Sequence, residues 1–362
     1  MNIVHLQLSG GTGGISVLTK DIAEKSKNNN IFYFLFEGGI VADKMKEMGC
    51  KVVIKNGSHT NFIGEGIKLV KFCKENNADV LIAHSGAPII RYIATFAKKH
   101  LKNIKMLVYL HSNIEMINYK NKMKNALSDY IDISAFNHCD KAIAISNSVK
   151  ESYQKKYNLK NGIIQTVYNG INTEKFKPNY NKNGDTFNIY YIGRVIKYKG
   201  VHNLINAAGA LNLPNINVMI IGRCYNGYDK ELKELAKKNG IGNQVYLCGE
   251  KTNVENQLKN AHLFVHPAKI NEGFGLTLAE ALSCAVPCVA YNEGAMTEII
   301  ENGKNGFIAN DFTISALAEA IKKVYDIWSC NYNSYMEMCR YSNASAQKFS
   351  IEKTVKELES LY

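Results

Sequence analysis

Short apolar runs alternate along the chain with segments whose apolar residues recur at helical spacing. In the first half, helical patterns lie near 15–27, 40–48, 62–76, 125–138 and 146–157, and strand-like runs cover 3–8, 31–36, 51–54, 79–84, 105–111 and 163–169. Such alternation is typical of a parallel sheet with helices on both faces. It predicts a doubly wound, Rossmann-like α/β domain over residues 1–170.

The same alternation restarts after a polar stretch, 170–185, which we interpret as the connection between two domains. Strand-like runs of the second half are 187–193, 217–222, 244–249, 263–267, 288–291 and 306–309. They predict a second doubly wound domain over 171–345, and the apolar spacing within 346–362 predicts a C-terminal helix that packs back toward the first domain. Because ligands of open parallel sheets bind beyond the carboxyl ends of strands, we expect the chemistry in a central cleft between two facing domains.

Charge is distributed unevenly over a chain of 362 residues, which is long enough for two ordinary cores. Residues 1–170 carry 23 basic and 13 acidic side chains, so they hold +10 of the total net charge of +12. This excess favours an anionic partner of the first domain, such as a membrane surface, a phosphorylated acceptor or a nucleic acid. No recognition motif for nucleic acid accompanies it, so we expect no nucleic-acid partner.

Cysteine usage and the N-terminal sequence bear on the compartment. The nine cysteines are odd in number and contain no C-x-x-C pair, which favours free thiols in a reducing cytoplasm. The N-terminus lacks the basic start and long apolar stretch of a signal peptide, and no apolar run reaches the roughly 18 residues of a membrane span. We therefore expect a cytoplasmic protein.

A glycine-rich turn follows the first predicted strand, in the sequence SGGTGGIS (9–16). Backbone amides near Gly13 and Gly14 can approach an anion at the start of the next helix. Glu37 ends the second strand, where a dinucleotide-binding fold places its ribose-binding acid. The strict G-x-G-x-x-G pattern would require glycine where Ser16 stands, so a generic tight turn remains an alternative.

Charged residues follow two predicted strands of the second half. The segment GRVIKYKG (193–200) contains Arg194 and Lys199, which can bind the two phosphates of a diphosphate. Basic loop residues are also common on protein surfaces, so a surface role is the alternative. In NEGFGLTLAE (271–280), Glu272 lies on a glycine turn and Glu280 lies in the second turn of the following helix. One carboxylate can hold ribose hydroxyls and the other a different part of the same ligand, with phosphate beside the helix amides.

With these motifs the chain resembles the retaining GT-B glycosyltransferases of the family-4 type, which carry an E-x7-E motif. The resemblance covers essentially the whole chain and rests on GGTGG (10–14), IAISNSVKE (143–151), VYNGINTEKFKP (167–178), GRVIKYKG (193–200), NEGFGLTLAE (271–280), AVPCVAYNEGAMTEII (285–300) and NGFIA (305–309). Two positions depart from the family pattern. Ala285 replaces a usual glycine, and EGA (293–295) stands where two glycines are common.

The resemblance implies a role for each motif. Arg194 and Lys199 would bind the donor diphosphate, Glu280 the ribose and Glu272 the transferred sugar. The donor would also contact the turn residues Gly273, Phe274, Gly275, Leu276 and Thr277, and the loop residues Gly13 and Gly14. His111, at the end of a strand, matches the active-site histidine of the family. His262 and His266 alternate with apolar residues, and we assign them core or strand-edge positions instead of metal ligation.

The residues and the resemblance together predict a metal-independent, retaining transfer of a sugar from a nucleotide diphosphate sugar, with UDP favoured, to a hydroxyl acceptor. We expect this acceptor to be a glycan or a lipid-linked molecule in bacterial cell-surface polysaccharide or glycolipid assembly. Segment 113–133 mixes Lys120, Lys122 and Lys124 with apolar residues, so we hypothesise peripheral binding to the inner face of the plasma membrane. A nucleotide-sugar epimerase and, less favoured, an NAD-dependent dehydrogenase are the alternatives.

Overall fold

The computed structural model describes residues 1–58, 60–114, 121–182 and 184–362 and divides the chain into two compact units. Unit 1 contains Met1–Gly170 and Ile351–Tyr362, and unit 2 contains Ile171–Ser350. Part of the basic segment predicted to meet a membrane, which includes Met116, Ile117, Tyr119 and Lys120, lies outside the described residues. Each unit is a parallel α/β domain, which confirms the predicted fold class.

Unit 1 is built on a seven-stranded parallel sheet in the order β3-β2-β1-β4-β5-β6-β7. The strands are β1 Asn2–Ser9, β2 Asn29–Glu37, β3 Lys51–Ile54, β4 Val80–Ser85, β5 Lys105–Leu110, β6 Lys141–Ala144 and β7 Ile164–Thr166. The helices are α1 Gly14–Lys25, α2 Ile40–Glu47, α3 Phe62–Glu75, α4 Pro88–His100, α5 Lys122–His138 and α6 Asn147–Tyr157. The strand order reverses between β1 and β4, so this pair forms the switch point of the sheet.

Unit 2 is built on a six-stranded parallel sheet in the order β10-β9-β8-β11-β12-β13. The strands are β8 Phe187–Ile192, β9 Ile216–Ile221, β10 Val245–Gly249, β11 Leu263–His266, β12 Cys288–Tyr291 and β13 Gly306–Ala309. The α-helices are α7 Val201–Leu211, α8 Tyr228–Lys238, α9 Val254–Leu258, α10 Leu276–Ser283, α11 Met296–Ile299, α12 Ile314–Cys330 and α13 Tyr332–Ala346. The switch point of this sheet is the pair β8 and β11.

The last helix, α14 Ile351–Glu359, returns to unit 1. The carboxylate of Glu359 accepts hydrogen bonds from Ser26 Oγ at 2.6 Å and Asn28 Nδ2 at 2.8 Å. We predicted the boundary at residue 345, but the structure places it after Ser350. Unit 2 retains the preceding residues because the ring of Phe349 packs edge-on against Phe274, with centroids 5.2 Å apart.

Two elements of unit 1 did not follow from the strand-like runs. We did not predict α4, and we read no strand at Lys141–Ala144, where the structure has β6 paired with β5 and β7. All nine cysteines are free thiols, and no helix within the described ranges is both long and apolar enough to cross a bilayer.

Candidate functional site

The charged residues singled out in the second half lie where the neighbouring strands β8 and β11 end. Arg194 follows β8 by two residues, and Glu272 follows β11 by six. Because β8 and β11 form the switch point of unit 2, the loops after them diverge and leave room for a ligand at the carboxyl edge of the sheet. The fold therefore brings two sequence-distant motifs to one edge.

A short 3₁₀ turn, Lys197–Lys199, is held against the end of β11 by its next residue. Gly200 has φ of +72°, and a Cβ built on it would lie 2.1 Å from the carbonyl oxygen of Pro267. The same oxygen accepts a hydrogen bond from Asn203 Nδ2 at 3.1 Å. Only glycine permits this approach, so the turn that carries Lys199 is fixed to the residue that follows β11.

Lys199, Glu272 and His266 form a compact charged cluster. Lys199 Nζ donates to both carboxylate oxygens of Glu272, at 2.7 and 2.8 Å. His266 Nε2 lies 2.8 Å from Glu272 Oε2. Burial disfavours the charged form of Glu272, but His266 and Lys199 outweigh it and hold the pKa of this carboxyl well below its usual range.

The backbone around Glu272 is fixed by the loop after β12. A Cβ on Gly294, whose φ is +58°, would lie 2.3 Å from the carbonyl oxygen of Glu272. Ala295 N donates to that oxygen at 3.2 Å. The departure from the family pattern at EGA (293–295) therefore keeps the one glycine that this contact requires.

Helix α10 begins directly after the Glu272 turn, with Gly275 as its N-cap. The first backbone N–H groups of a helix have no carbonyl partner within it, and the helix dipole is positive there. Leu276 and Thr277 are partly exposed at this end, whereas Gly273, Phe274 and Gly275 are buried. Glu280 lies about 6 Å further along the helix axis. This helix end can bind an anion beside Glu272.

Arg194 is exposed at the same edge of unit 2. Its backbone is held by Tyr191, whose hydroxyl donates to the Arg194 carbonyl oxygen at 2.8 Å. Its guanidinium lies over the Tyr198 ring, 5.7 Å from the centroid. Burial and the Glu272 carboxylate both raise the pKa of Tyr191.

In unit 1, the glycine-rich turn connects β1 with α1. Gly13 is the N-cap of α1, and Gly14 is its first residue. Gly10 N donates to the carbonyl oxygen of Glu37 at 3.1 Å, so the ends of β1 and β2 are joined at this turn. The Glu37 side chain is exposed. The predicted loop residues thus lie at the carboxyl edge of the unit 1 sheet.

His111 follows β5 and ends a chain of three hydrogen-bonded imidazoles. His84 Nδ1 lies 3.0 Å from His111 Nε2, and His5 Nδ1 lies 3.0 Å from His84 Nε2. His5 Nε2 lies 2.9 Å from Asn30 Oδ1. Burial lowers the pKa of His5 to about 4 and that of His111 to about 3, so these rings are neutral at pH 7.

Sequence reasoning missed three histidines of these two clusters. His266 was predicted to occupy a core or strand-edge position, and it does end β11, but its contact with Glu272 was not foreseen. His5 and His84 were not singled out. A polar residue inside an apolar strand run was the available signal. Among the described residues, no group of three or more His, Cys, Asp or Glu side chains could hold a metal ion.

Comparisons with known proteins identify the family. Residues 172–344 match the family model for glycosyl transferases group 1, and residues 12–175 match that for glycosyltransferase family 4. The two matches together span residues 12–344, so the chain belongs to the GT-B glycosyltransferases of the family-4 type. This confirms the predicted GT-B family and glycosyltransferase class, whereas retention of configuration and metal independence stay predictions.

Relatives and solved structures agree with this membership. An uncharacterised glycosyltransferase of Methanocaldococcus jannaschii is 27% identical over 73% of this chain and 70% of its own length. The UDP-Gal:alpha-D-GlcNAc-diphosphoundecaprenol alpha-1,3-galactosyltransferase of Escherichia coli is 26% identical over 82% and 78%. HepE of Anabaena, solved in complex with UDP, shares the fold with a TM-score of 0.87 and 19% identity, over 99% of both chains.

Replacing Gly200 tests whether its approach to Pro267 fixes the Lys199 turn. Gly227 is a matched control, because it is also a helix N-cap with φ of +69° but has no atom within 4 Å of a built Cβ. Both alanine variants incur a left-handed strain of about 1–2 kcal/mol. We expect Gly200→Ala to lose about 1–3 kcal/mol more free energy of unfolding than Gly227→Ala in urea titrations. Equal losses would show that the close approach does not constrain the turn.

The neutral histidines of unit 1 predict a pH-dependent stability. In the unfolded chain His5 binds a proton below its ordinary pKa of 6.5, whereas burial in the folded chain lowers this pKa to about 4. Stability that is present above pH 6.5 is therefore lost as the pH falls toward 4. In hydrogen exchange of β1 amides, His5→Phe should reduce this pH slope by up to about 1.4 kcal/mol per pH unit. An unaltered slope in His5→Phe would contradict the assignment.

Proposed function

We propose that this glycosyltransferase transfers a sugar from a UDP-sugar to a hydroxyl acceptor with retention of the anomeric configuration. The observation that carries the proposal is the Lys199–Glu272–His266 cluster beside the start of α10. It sets a cation and a helix N-terminus next to a carboxylate that can accept sugar hydroxyls. UDP is favoured because HepE is solved with UDP-glucose and the E. coli relative is named for a UDP-Gal donor.

Charge development on the leaving group explains the residue types at this edge. Breaking the bond between sugar and phosphate places negative charge on the departing UDP. An ammonium group has three N–H donors, and Lys199 uses two toward Glu272, which leaves one for a phosphate oxygen. Together with Arg194 and the amides of Leu276 and Thr277, it would stabilise the transition state more than the ground state. We propose that these groups replace a metal ion.

The remaining predicted residues receive roles on the same ligand. Glu272 would bind hydroxyls of the transferred sugar, because a carboxylate has about four acceptor positions and its partners do not occupy them all. Glu280, one turn further along α10, would bind the ribose. We propose that His111 contacts the donor sugar and that Gly13 and Gly14 bind the donor through backbone amides. The acceptor would be a glycan or lipid-linked molecule of surface polysaccharide or glycolipid assembly, as relatives include a capsular polysaccharide glycosyltransferase of Staphylococcus aureus.

Alanine variants at the two cations test the diphosphate role. We expect Arg194→Ala and Lys199→Ala each to lower kcat by about 100-fold or more, since each removes one preorganised donor to the leaving group. Lys197→Ala is a matched control, because Lys197 belongs to the same turn but pairs with Glu231 and has a side chain that is 72% exposed. Release of UDP from UDP-sugars with an acceptor present measures the rate, and ¹H NMR of the product gives its anomeric configuration.

Each part of the proposal can fail separately in that assay. Full activity in the Arg194→Ala, Lys199→Ala double variant would reject the diphosphate role. An inverted product would reject retention, and loss of activity with EDTA that Mg²⁺ restores would reject metal independence. Conversion of the donor without any acceptor would favour the epimerase, and binding of NAD in place of UDP would favour the dehydrogenase.

We further propose that α5 brings the enzyme to an anionic membrane at its cytoplasmic face. Met123, Leu127 and Tyr130 share one side of this helix and are 81%, 57% and 72% exposed. Lys122 and Lys124 are exposed beside them. An apolar stripe flanked by lysines is typical of a helix that lies in the membrane interface.

Liposome sedimentation tests this surface. The unmodified chain should sediment with anionic vesicles more than with neutral ones, because lysines add roughly 1 kcal/mol each near an anionic surface. The triple variant Met123→Ser, Leu127→Ser, Tyr130→Ser should lose most of this binding. Tyr246→Ser with Phe312→Ser, at exposed apolar positions of unit 2, serves as the control. Equal sedimentation with both vesicle types would contradict the proposal.

A further inference from the structure

The three histidines of unit 1 cross the switch point of its sheet in a single row. His5 lies on β1, His84 on the neighbouring β4, and His111 follows β5. Successive ring planes are within 22° of each other, so each ring nitrogen can meet the next along its lone-pair direction. Phe32 stacks on the His5 ring at 4.9 Å and Tyr109 stacks on His111 at 4.5 Å, which fixes both rings.

The orientation of the Asn30 amide determines which nitrogen of His5 carries a proton. Asn30 Nδ2 donates to the carbonyl oxygen of Asn28 at 2.9 Å. A flipped amide would set its oxygen against that carbonyl oxygen, so Oδ1 must face His5 Nε2 at 2.9 Å. Because an amide oxygen only accepts, His5 carries its proton on Nε2.

The remaining protons follow by donor and acceptor pairing. A neutral imidazole has one N–H and one acceptor nitrogen, so His5 Nδ1 accepts from His84 Nε2 at 3.0 Å. His84 Nδ1 must then accept from His111 Nε2, also at 3.0 Å. Any other neutral arrangement sets two N–H groups or two lone pairs against each other in a buried site. His111 therefore has its proton on Nε2 and a lone pair on Nδ1.

We propose that Asn30, His5 and His84 are positioning residues that fix the tautomer of His111 and so present its Nδ1 as a hydrogen-bond acceptor to a substrate hydroxyl. The use of this acceptor by a sugar substrate rests on the proposed function, whereas the tautomer itself does not. Nδ1 can then accept a hydrogen bond from a hydroxyl without any change of charge in the row. The direction of the hydrogen bond between His84 and His111 is thus determined by the Asn30 amide, two rings away from His111.

Two-bond ¹H–¹⁵N correlation spectra of the full chain, labelled with ¹⁵N-histidine, measure the tautomers directly. The spectrum of the unmodified protein near pH 7 should show His5, His84 and His111 as Nε2-protonated neutral rings. A protonated Nδ1 on His111 would overturn the proposal, whether or not the chain transfers sugar. This measurement needs no variant and separates failure of the tautomer assignment from failure of the proposed function.

Variants test whether the row sets the tautomer. His5→Phe keeps a ring that can pack on Phe32 but removes both nitrogens, so His111 should show a mixture of tautomers and kcat should fall about tenfold. His100→Phe is the matched control, since the His100 ring packs on Phe96 outside the row. An unchanged His111 tautomer in folded His5→Phe would overturn the positioning role.

Discussion

The contact of Lys199 with Glu272 joins the two loops that leave the switch point of unit 2. Lys199 follows β8 and Glu272 follows β11, and His266 adds a third group to the same carboxylate. A half-buried carboxylate is stable only when it is paired, so each group keeps the others in place. The close approach of Gly200 to Pro267 and of Gly294 to Glu272 gives this cluster a rigid backbone. The N-terminal end of α10 depends on that arrangement for its position.

At the switch point of unit 1, the interacting side chains are neutral instead of charged. His5, His84 and Asn30 are buried in the sheet of unit 1, and together with His111, which follows β5, they satisfy one another in a single row. Burial keeps the rings neutral, so each ring has one donor and one acceptor nitrogen. The tautomer of one ring therefore determines the tautomer of the next, without any movement of charge. In unit 2, by contrast, full charges are kept and paired. The edge of unit 1 therefore carries neutral imidazoles, and the edge of unit 2 carries a paired cation and carboxylate.

The sequence predicted the fold well, because buried parallel strands read as long apolar runs and glycines mark their ends. It missed β6, and it placed the end of unit 2 five residues early, because the packing of Phe349 on Phe274 joins positions 75 residues apart. Motif spacing predicted that Lys199 and Glu272 lie close together, and the two side chains are in contact. The hydrogen bond between His5 and His84 could not be predicted from the sequence, because only the pairing of β1 with β4 brings these residues together.

A crystal structure of the chain with bound UDP would show whether the loops after β8 and β11 bind the nucleotide. We expect the diphosphate within hydrogen-bonding distance of Arg194 and Lys199 and beside the first amides of α10, with the ribose at Glu280 and the Lys199–Glu272 pair still formed. A nucleotide bound away from the carboxyl ends of β8 and β11, or a diphosphate that neither cation touches, would contradict it.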